Sequence, residues 1–159
     1  MEDIESYYPG HGVISVDGQE RCDWIGGGAI RQIGGKIYTF SRSLRSSCAV
    51  NSSGLICSNT AKLNSARLGL EGGRLNGFND VILRTNSAVL IKTFNKVLTD
   101  GIEELSEKEE PRFYLLFQDI LKVTPKFKEI LFCKINKKDN NLADYLCCSS
   151  FGLSKENEY

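Results

Sequence analysis

The chain has 159 residues, enough for one well-formed hydrophobic core and too few for two cores of ordinary size. Its 20 lysine and arginine residues balance its 20 aspartate and glutamate residues. Because the formal net charge is zero, no overall basic field attracts the chain to nucleic acid or to an anionic membrane. Any binding of this kind must depend on a local patch of charge.

The first ten residues, MEDIESYYPG, contain neither the basic region nor the apolar run of a signal peptide. No stretch approaches the roughly 20 apolar residues that a membrane span requires. We therefore expect a cytoplasmic or nuclear protein with reduced thiols. The six cysteines lack the paired spacing of a zinc ribbon, and they are Cys22, Cys48, Cys57, Cys133, Cys147 and Cys148.

The first part of the chain predicts an antiparallel meander of three strands. The sequence predicts a buried strand over Val13 to Asp17 and two more strands over Ile25 to Ile33 and Lys36 to Leu44. Gly34 and Gly35 between the last two are typical of a tight hairpin turn.

A loop and a helix are predicted next. Arg45 to Asn59 is rich in serine, asparagine and cysteine and shows no clear period, so most of it is predicted as loop. A helix is expected to begin near Asn59 or Thr60, because Leu63, Ala66 and Leu70 share one helical face.

The middle of the chain predicts a strand followed by a helix. Val81 to Leu83 is a short apolar run of the kind found in a strand covered on both faces. Leu90, Phe94 and Val97 then recur at helical spacing. This succession favours a crossover to a parallel strand.

The last third begins with residues 100–110, DGIEELSEKEE, which carry six carboxylates and one lysine and predict a solvated linker. A helix is predicted over Pro111 to Val123, with proline as its first residue. Ile130 to Ile135 predicts the last strand. Asn140 to Ser149 predicts a closing helix capped by Asp139 or Asn140, before a frayed tail.

Four segments occur in a distinctive order: VISVDGQ with the hairpin IGGGAIRQIGGKIYTFSRSL, then NTAKLNSARLGLEGGRLNGF, then DVILRTNS, then ILFCKINKKDNNLADYL. Together they resemble the RNase H superfamily, in particular plant RNase H-like domains related to reverse-transcriptase ribonuclease modules. The resemblance covers residues 12–152, leaving an arm at 1–11 and a tail at 153–159. It implies an α/β fold with a mixed five-stranded sheet, three strands antiparallel and two parallel, flanked by helices.

The resemblance also implies four acidic positions around two divalent ions. In this chain those positions hold Asp17, Lys62, Asn86 and Asp144, so two acids remain and two are replaced. In the family arrangement Asp17 and Asp144 belong to the ion beside the nucleophile. The positions of Lys62 and Asn86 join Asp17 at the ion beside the leaving group. Both losses therefore fall on one ion, and a site with a single Mg²⁺ or Mn²⁺ at Asp17 and Asp144 is conceivable.

Two interpretations of Lys62 stay open at this point. Its ammonium could take the place of the lost ion and neutralise phosphate charge, as lysines do at phosphate sites. Alternatively, it is a substituted residue that is solvated or paired with Asp17 or Asp144. Asn86 can coordinate through its amide oxygen or hydrogen-bond a phosphate.

A local basic strip is predicted to contact the backbone of a duplex. Its members are Arg31, Arg84, Lys134, Lys137, Lys138 and the polar Asn140. The acidic segment 100–110 would repel phosphate, so it indicates either no contact or a protein partner.

The leading interpretation is a divalent-metal-dependent ribonuclease that cleaves the RNA strand of an RNA/DNA hybrid or of double-stranded RNA. The alternative is a catalytically degenerate RNase H-like module that binds nucleic acid or a protein partner. A third is a domain that only binds proteins.

Overall fold

The structure is a computed structural model that describes residues 10–21, 24–33, 36–45, 54–102 and 111–156. Most of the acidic segment, residues 103–110, lies outside these ranges, as does the start of the N-terminal arm. Within the described ranges, no helix combines the length and the apolar character that crossing a bilayer requires.

The described residues form five strands and four α-helices. The strands are β1 (Gly12–Arg21), β2 (Trp24–Ile33), β3 (Lys36–Arg45), β4 (Asp80–Thr85) and β5 (Glu129–Lys134). The helices are α1 (Gly54–Leu75), α2 (Ala88–Asp100), α3 (Pro111–Val123) and α4 (Asn141–Glu156). Short 3₁₀ turns precede β5 at Thr124–Lys126 and α4 at Lys137–Asn140.

The five strands form one mixed sheet in the order β3-β2-β1-β4-β5. β1, β2 and β3 are an antiparallel meander, as the sequence predicts. β4 pairs parallel to β1, and β5 pairs parallel to β4, so β1, β4 and β5 all run in one direction. A parallel pair needs a long crossover, and α1 supplies it between the meander and β4.

The main core lies between one face of the sheet and the helices α1, α2 and α3. Along β1, Ile14 and Val16 face this core, where both are fully buried. Because side chains alternate along a strand, Val13, Ser15 and Asp17 point to the opposite face. The predicted helical face of α1, formed by Leu63, Ala66 and Leu70, is fully buried in the same core.

Glycines allow a helix to approach the sheet closely on each face. A Cβ on Gly18 would lie 2.1 Å from the carbonyl oxygen of Ala61 in α1. A Cβ on Gly28 would lie 2.6 Å from the backbone of Ala143 and Cys147 in α4. Since Gly28 pairs with Asp17 across β1 and β2, α4 is held directly beside Asp17.

Three predicted boundaries are corrected. β1 continues beyond Asp17 because its pairing with β2 extends to Arg21. α1 begins at Gly54, not near Thr60, and α4 continues to Glu156, into the predicted tail. Serine, asparagine and glycine favour loops locally, but an already nucleated helix adds residues at little cost.

Candidate active site

A cleft of about 330 Å³ opens beside β1 and the end of β4, between residues of α1 and α4. Its lining residues are Asp17, Gly18, Gln19, Lys62, Asn86, Lys137 and Asp144. All four residues that the sequence predicts for the site lie in it. They come from β1, α1, the turn after β4 and the first turn of α4.

The Asp144 carboxyl lies beside Asp17 in the cleft, close enough for the two groups to share a hydrogen bond when one of them carries a proton. Burial, and then the hydrogen bond and negative charge of Asp144, raise the pKa of Asp17 to about 7. The backbone N–H of Gly18, which donates to Asp17 Oδ1 at 3.0 Å, and the charge of Lys62 act in the opposite direction. Two carboxyl groups in contact need a positive charge between them, either a proton or a bound cation.

Gln19 is a member of the site that the sequence analysis did not single out. Its Nε2 donates to Asp144 Oδ1 at 2.8 Å and so holds that carboxylate against β1. The thiol of Cys148, one helical turn beyond Asp144, lies 3.9 Å from Gln19 Oε1. The available signal was strand alternation, because Gln19 is two residues after Asp17 and points to the same face.

Asn140 links the 3₁₀ turn before α4 to β1 and to the end of β4 through hydrogen bonds. Its Nδ2 donates to the carbonyl oxygen of Val16 at 2.8 Å and to Asn86 Oδ1 at 3.1 Å. Its side-chain oxygen has no partner in the described structure, so the predicted capping of α4 by Asn140 is wrong. With 2% of its surface exposed, Asn140 does not form the predicted direct contact with a duplex either.

Asn86 sits between two anchored residues. Thr85 Oγ1 accepts a hydrogen bond from the backbone N–H of Ser87 at 3.2 Å. The hydroxyl of Ser87 in turn caps α2 by accepting from Leu90 N at 3.2 Å. Because both neighbours are buried and bonded, the backbone of Asn86 is held at the wall of the cleft.

Lys62 is half-buried and reaches the cleft from α1. Its positive charge acts on Asp17, yet among the described residues it forms no salt bridge with Asp17 or Asp144. The interpretation of Lys62 as the salt-bridge partner of one of these acids is therefore not supported.

Comparison with solved structures gives the fold a name. The N-terminal RNase H domain of a Mycobacterium tuberculosis protein, solved as a fusion with maltose binding protein, has a TM-score of 0.70 and 15% identity. The match covers 94% of this chain and 99% of that one. This chain has the RNase H-like fold.

Two further solved structures show the same RNase H-like fold. An RNase H1 from the archaeon Halobacterium salinarum matches at a TM-score of 0.68 and 18% identity, over 90% of this chain and 98% of that one. An RNase H1 named LC11, solved in complex with an RNA/DNA hybrid, matches at 0.64 and 16%, over 90% and 98%. No protein-family model and no curated protein matches the chain. The particular likeness to plant domains stays a prediction.

The possible metal ligands in the cleft suit one divalent ion and not two. Mg²⁺ is commonly held by one or two carboxylates together with water and substrate phosphate, and Asp17 and Asp144 supply such a pair. Within the described ranges, no group of three or more histidine, cysteine, aspartate or glutamate side chains could hold a metal ion. At the two remaining family positions the chain offers an ammonium and an amide, and an ammonium cannot coordinate a cation.

Arg31 does not belong to the predicted basic strip. It pairs with Ile14 across β2 and β1 and therefore points into the core, where 3% of its surface is exposed. Its guanidinium carbon lies 4.9 Å from the ring centre of Phe40. A Cβ on Gly72 of α1 would lie 2.2 Å from Arg31 Nη1, so the helix covers the guanidinium closely.

The other predicted basic residues occupy different places. Lys137 lines the cleft, and Lys134 and Lys138 are exposed nearby in the chain. Arg84 lines a neighbouring cleft and donates from Nε to Ser15 Oγ at 3.0 Å.

The structure describes the side chains of three of the six cysteines. Cys133, Cys147 and Cys148 are not joined in disulfide bonds. Burial, first of all, raises the pKa of Cys147 to about 12, so this thiol is unreactive. The side chains of Cys22, Cys48 and Cys57 lie outside the described part of the structure.

Proposed function

We propose that this protein is a divalent-metal-dependent ribonuclease that hydrolyses RNA in a duplex, either an RNA/DNA hybrid or double-stranded RNA. The observation that carries the proposal is the buried Asp17 carboxyl in contact with Asp144, in an open cleft of an RNase H-like fold. The structure of a protein with the same fold bound to an RNA/DNA hybrid supports the choice of substrate.

In this proposal Asp17 and Asp144 hold one Mg²⁺ or Mn²⁺ ion. When bound, such an ion lowers the pKa of a coordinated water and so supplies the nucleophile. Gln19 keeps Asp144 in place through its hydrogen bond, and Asn140 does the same for Asn86. Lys62 and Asn86 stabilise charge on the phosphate.

Binding of the duplex depends on local charge because the chain is neutral overall. Lys134, Lys137 and Lys138 are the proposed backbone contacts, since all three are exposed and Lys137 lines the cleft. A backbone contact of this kind reads the A-like shape of the duplex and not its base sequence.

The second candidate function is a catalytically degenerate module that binds nucleic acid. The observation that favours it is the replacement of two of the four acids by Lys62 and Asn86. Such a module would bind the same duplexes through the same lysines and leave them intact.

Cleavage of labelled duplexes separates the two candidates. The full chain is incubated with hybrid, double-stranded RNA and double-stranded DNA, in Mg²⁺, in Mn²⁺ and in EDTA. We expect cleavage of the RNA-containing duplexes only with metal, and a loss of about a hundredfold or more in Asp17→Asn. A matched control is Lys126→Met, which removes an exposed lysine that precedes β5 and does not line the cleft.

Two outcomes of this assay would not support the ribonuclease proposal. If wild-type protein binds the duplex and leaves it intact in both metals, the ribonuclease proposal is wrong and the binding module is supported. Cleavage that persists unchanged in Asp17→Asn would indicate a contaminating nuclease.

A further inference from the structure

The hydrogen bonds of Asn140 determine which way its side-chain amide points. The carbonyl oxygen of Val16 can only accept a hydrogen bond, so the Asn140 atom 2.8 Å from it must be the donor Nδ2. The reverse orientation would place two oxygens in contact inside the protein, where Asn140 is almost fully buried.

The orientation of Asn140 then determines the orientation of Asn86. The same Nδ2 lies 3.1 Å from Asn86, which must therefore present its oxygen and not its nitrogen to Asn140. Asn86 Nδ2 has no hydrogen-bond partner among the described residues, and the Asn86 side chain lines the cleft. The free atom of this amide is thus a donor with two hydrogens, which suits an anion and not a metal ion.

Lys62 adds a second donor group to the same cleft. Its ammonium carries three hydrogens and a full charge, and it forms no salt bridge among the described residues. The backbone of Lys62 is part of α1, and its carbonyl oxygen accepts from Ser65 Oγ at 2.6 Å. A cation placed beside Lys62 and Asn86 would meet a like charge and a donor, whereas an oxyanion would meet only favourable groups.

We propose that Lys62 and Asn86 form a phosphate-binding subsite that works without a metal ion. The ligand is a phosphate group, and the lysine ammonium supplies the charge while the asparagine amide sets the direction of a second hydrogen bond. The subsite deepens the proposed function, on which its biological role rests, because a duplex phosphate would be held there directly. Phosphate binding itself does not require cleavage.

Titration with small phosphates in EDTA tests the subsite. Inorganic phosphate, adenosine 5′-monophosphate and unphosphorylated adenosine are added to the full chain, and binding is measured by calorimetry and by ³¹P NMR. We expect both phosphates to bind and adenosine to show no binding. Lys62→Met should weaken phosphate binding about tenfold or more, which corresponds to about 1.4 kcal/mol.

Asn86→Asp is the sharper variant. A carboxylate can still accept the hydrogen bond from Asn140, so the fold of the loop is kept, but the two donors become a charged acceptor. We expect Asn86→Asp to weaken phosphate binding about tenfold or more as well. Lys126→Met is the matched control and should bind phosphate like the wild type.

The number of bound metal ions provides an independent test of the subsite. Titration with Mn²⁺ should show one bound ion in the wild type and two in the double variant Lys62→Glu with Asn86→Asp. Two ions in the wild type would overturn the inference, because the subsite would then hold a metal.

The other outcomes that overturn the inference are equally specific. They are no phosphate binding in EDTA, equal binding of adenosine and its monophosphate, or phosphate affinities in both single variants that match the control. Phosphate binding as expected, without duplex cleavage, would support the phosphate-binding subsite and contradict the ribonuclease proposal. Duplex cleavage without phosphate binding in EDTA would support the ribonuclease proposal and contradict the subsite.

Discussion

Two buried charged side chains on neighbouring strands, Asp17 on β1 and Arg31 on β2, have opposite surroundings. Around Asp17, polar groups converge from several elements, namely the Gly18 N–H, the Asp144 carboxyl and the Lys62 ammonium, and the side chain opens onto a cleft. Around Arg31, an aromatic ring and a helix close the space, and Nε and Nη1 have no hydrogen-bond partner among the residues that the structure describes. Burial, which lowers the pKa of Arg31, is common to both residues.

A buried charge therefore indicates a functional site only when solvent access and convergent polar partners accompany it. Strand alternation and register account for the contrast. Arg31 pairs with Ile14 and faces the three-helix core, while Asp17 pairs with Gly28 and faces α4 beside the cleft. We therefore keep the surroundings of Asp17 as the proposed active site and assign a structural role to Arg31.

Replacing Lys62 should cause the greatest loss of activity if the surroundings of Asp17 form the active site. Because a preorganised charge at the transition state contributes about 3 kcal/mol, Lys62→Ala should reduce duplex cleavage about a hundredfold while leaving the folded structure unchanged. Cleavage kinetics with thermal unfolding as a control measure this. Unchanged activity would rule out a catalytic role for the ammonium.

That negative result would leave Lys62 as a substituted residue. In that case, restoring the acids with Lys62→Glu and Asn86→Asp together should create or increase Mg²⁺-dependent cleavage in the same assay.

The raised pKa of Asp17 should make the free energy of unfolding depend on pH. The pKa of Asp17 is raised from 3.8 to about 7 in the folded protein, so the folded state binds more protons than the unfolded state between those values. The contribution of Asp17 to stability is therefore present at low pH and is lost as pH rises toward 7. Asp17→Asn should be equal to the wild type near pH 4 and more stable by about 1 to 2 kcal/mol at pH 8.

Urea unfolding of both proteins at several pH values without metal measures this difference, and titrating groups remote from Asp17 cancel in the comparison. Adding Mg²⁺ at pH 8 should stabilise the wild type and not the variant, because ligand binding favours the folded state. A difference that grows toward low pH would contradict the raised pKa.

Replacing Arg31 should change the stability of the protein slightly and leave its activity unchanged. Arg31→Met keeps a long side chain and removes a buried charge with unpartnered nitrogens, at the loss of the contact with Phe40. We expect the free energy of unfolding to rise by about 1 kcal/mol and cleavage to remain unchanged. A folded Arg31→Met protein with reduced cleavage would show that Arg31 serves the site.

Much of the fold was readable from local patterns. The antiparallel meander, the buried face of α1 at Leu63, Ala66 and Leu70, and the limits of α3 at Pro111 and Val123 all follow from sequence periodicity and a helix-starting proline. The predicted turn at Gly34 and Gly35 lies outside the described residues. These signals act over a few residues, so they survive without tertiary information. The placement of Asp17 and Asp144 together required the family resemblance, since 126 positions separate them.

The contacts between the polar groups of the site, and their orientations, depend on the tertiary structure. The contact of Gln19 with Asp144, the donor orientation of Asn86 and the burial of Arg31 each depend on a partner from a distant segment. Alternation along a strand indicates two faces, but it does not say which helix covers each one. The polarity of Asn86 depends on the carbonyl oxygen of Val16 through Asn140, and a sequence contains no local signal of that relation.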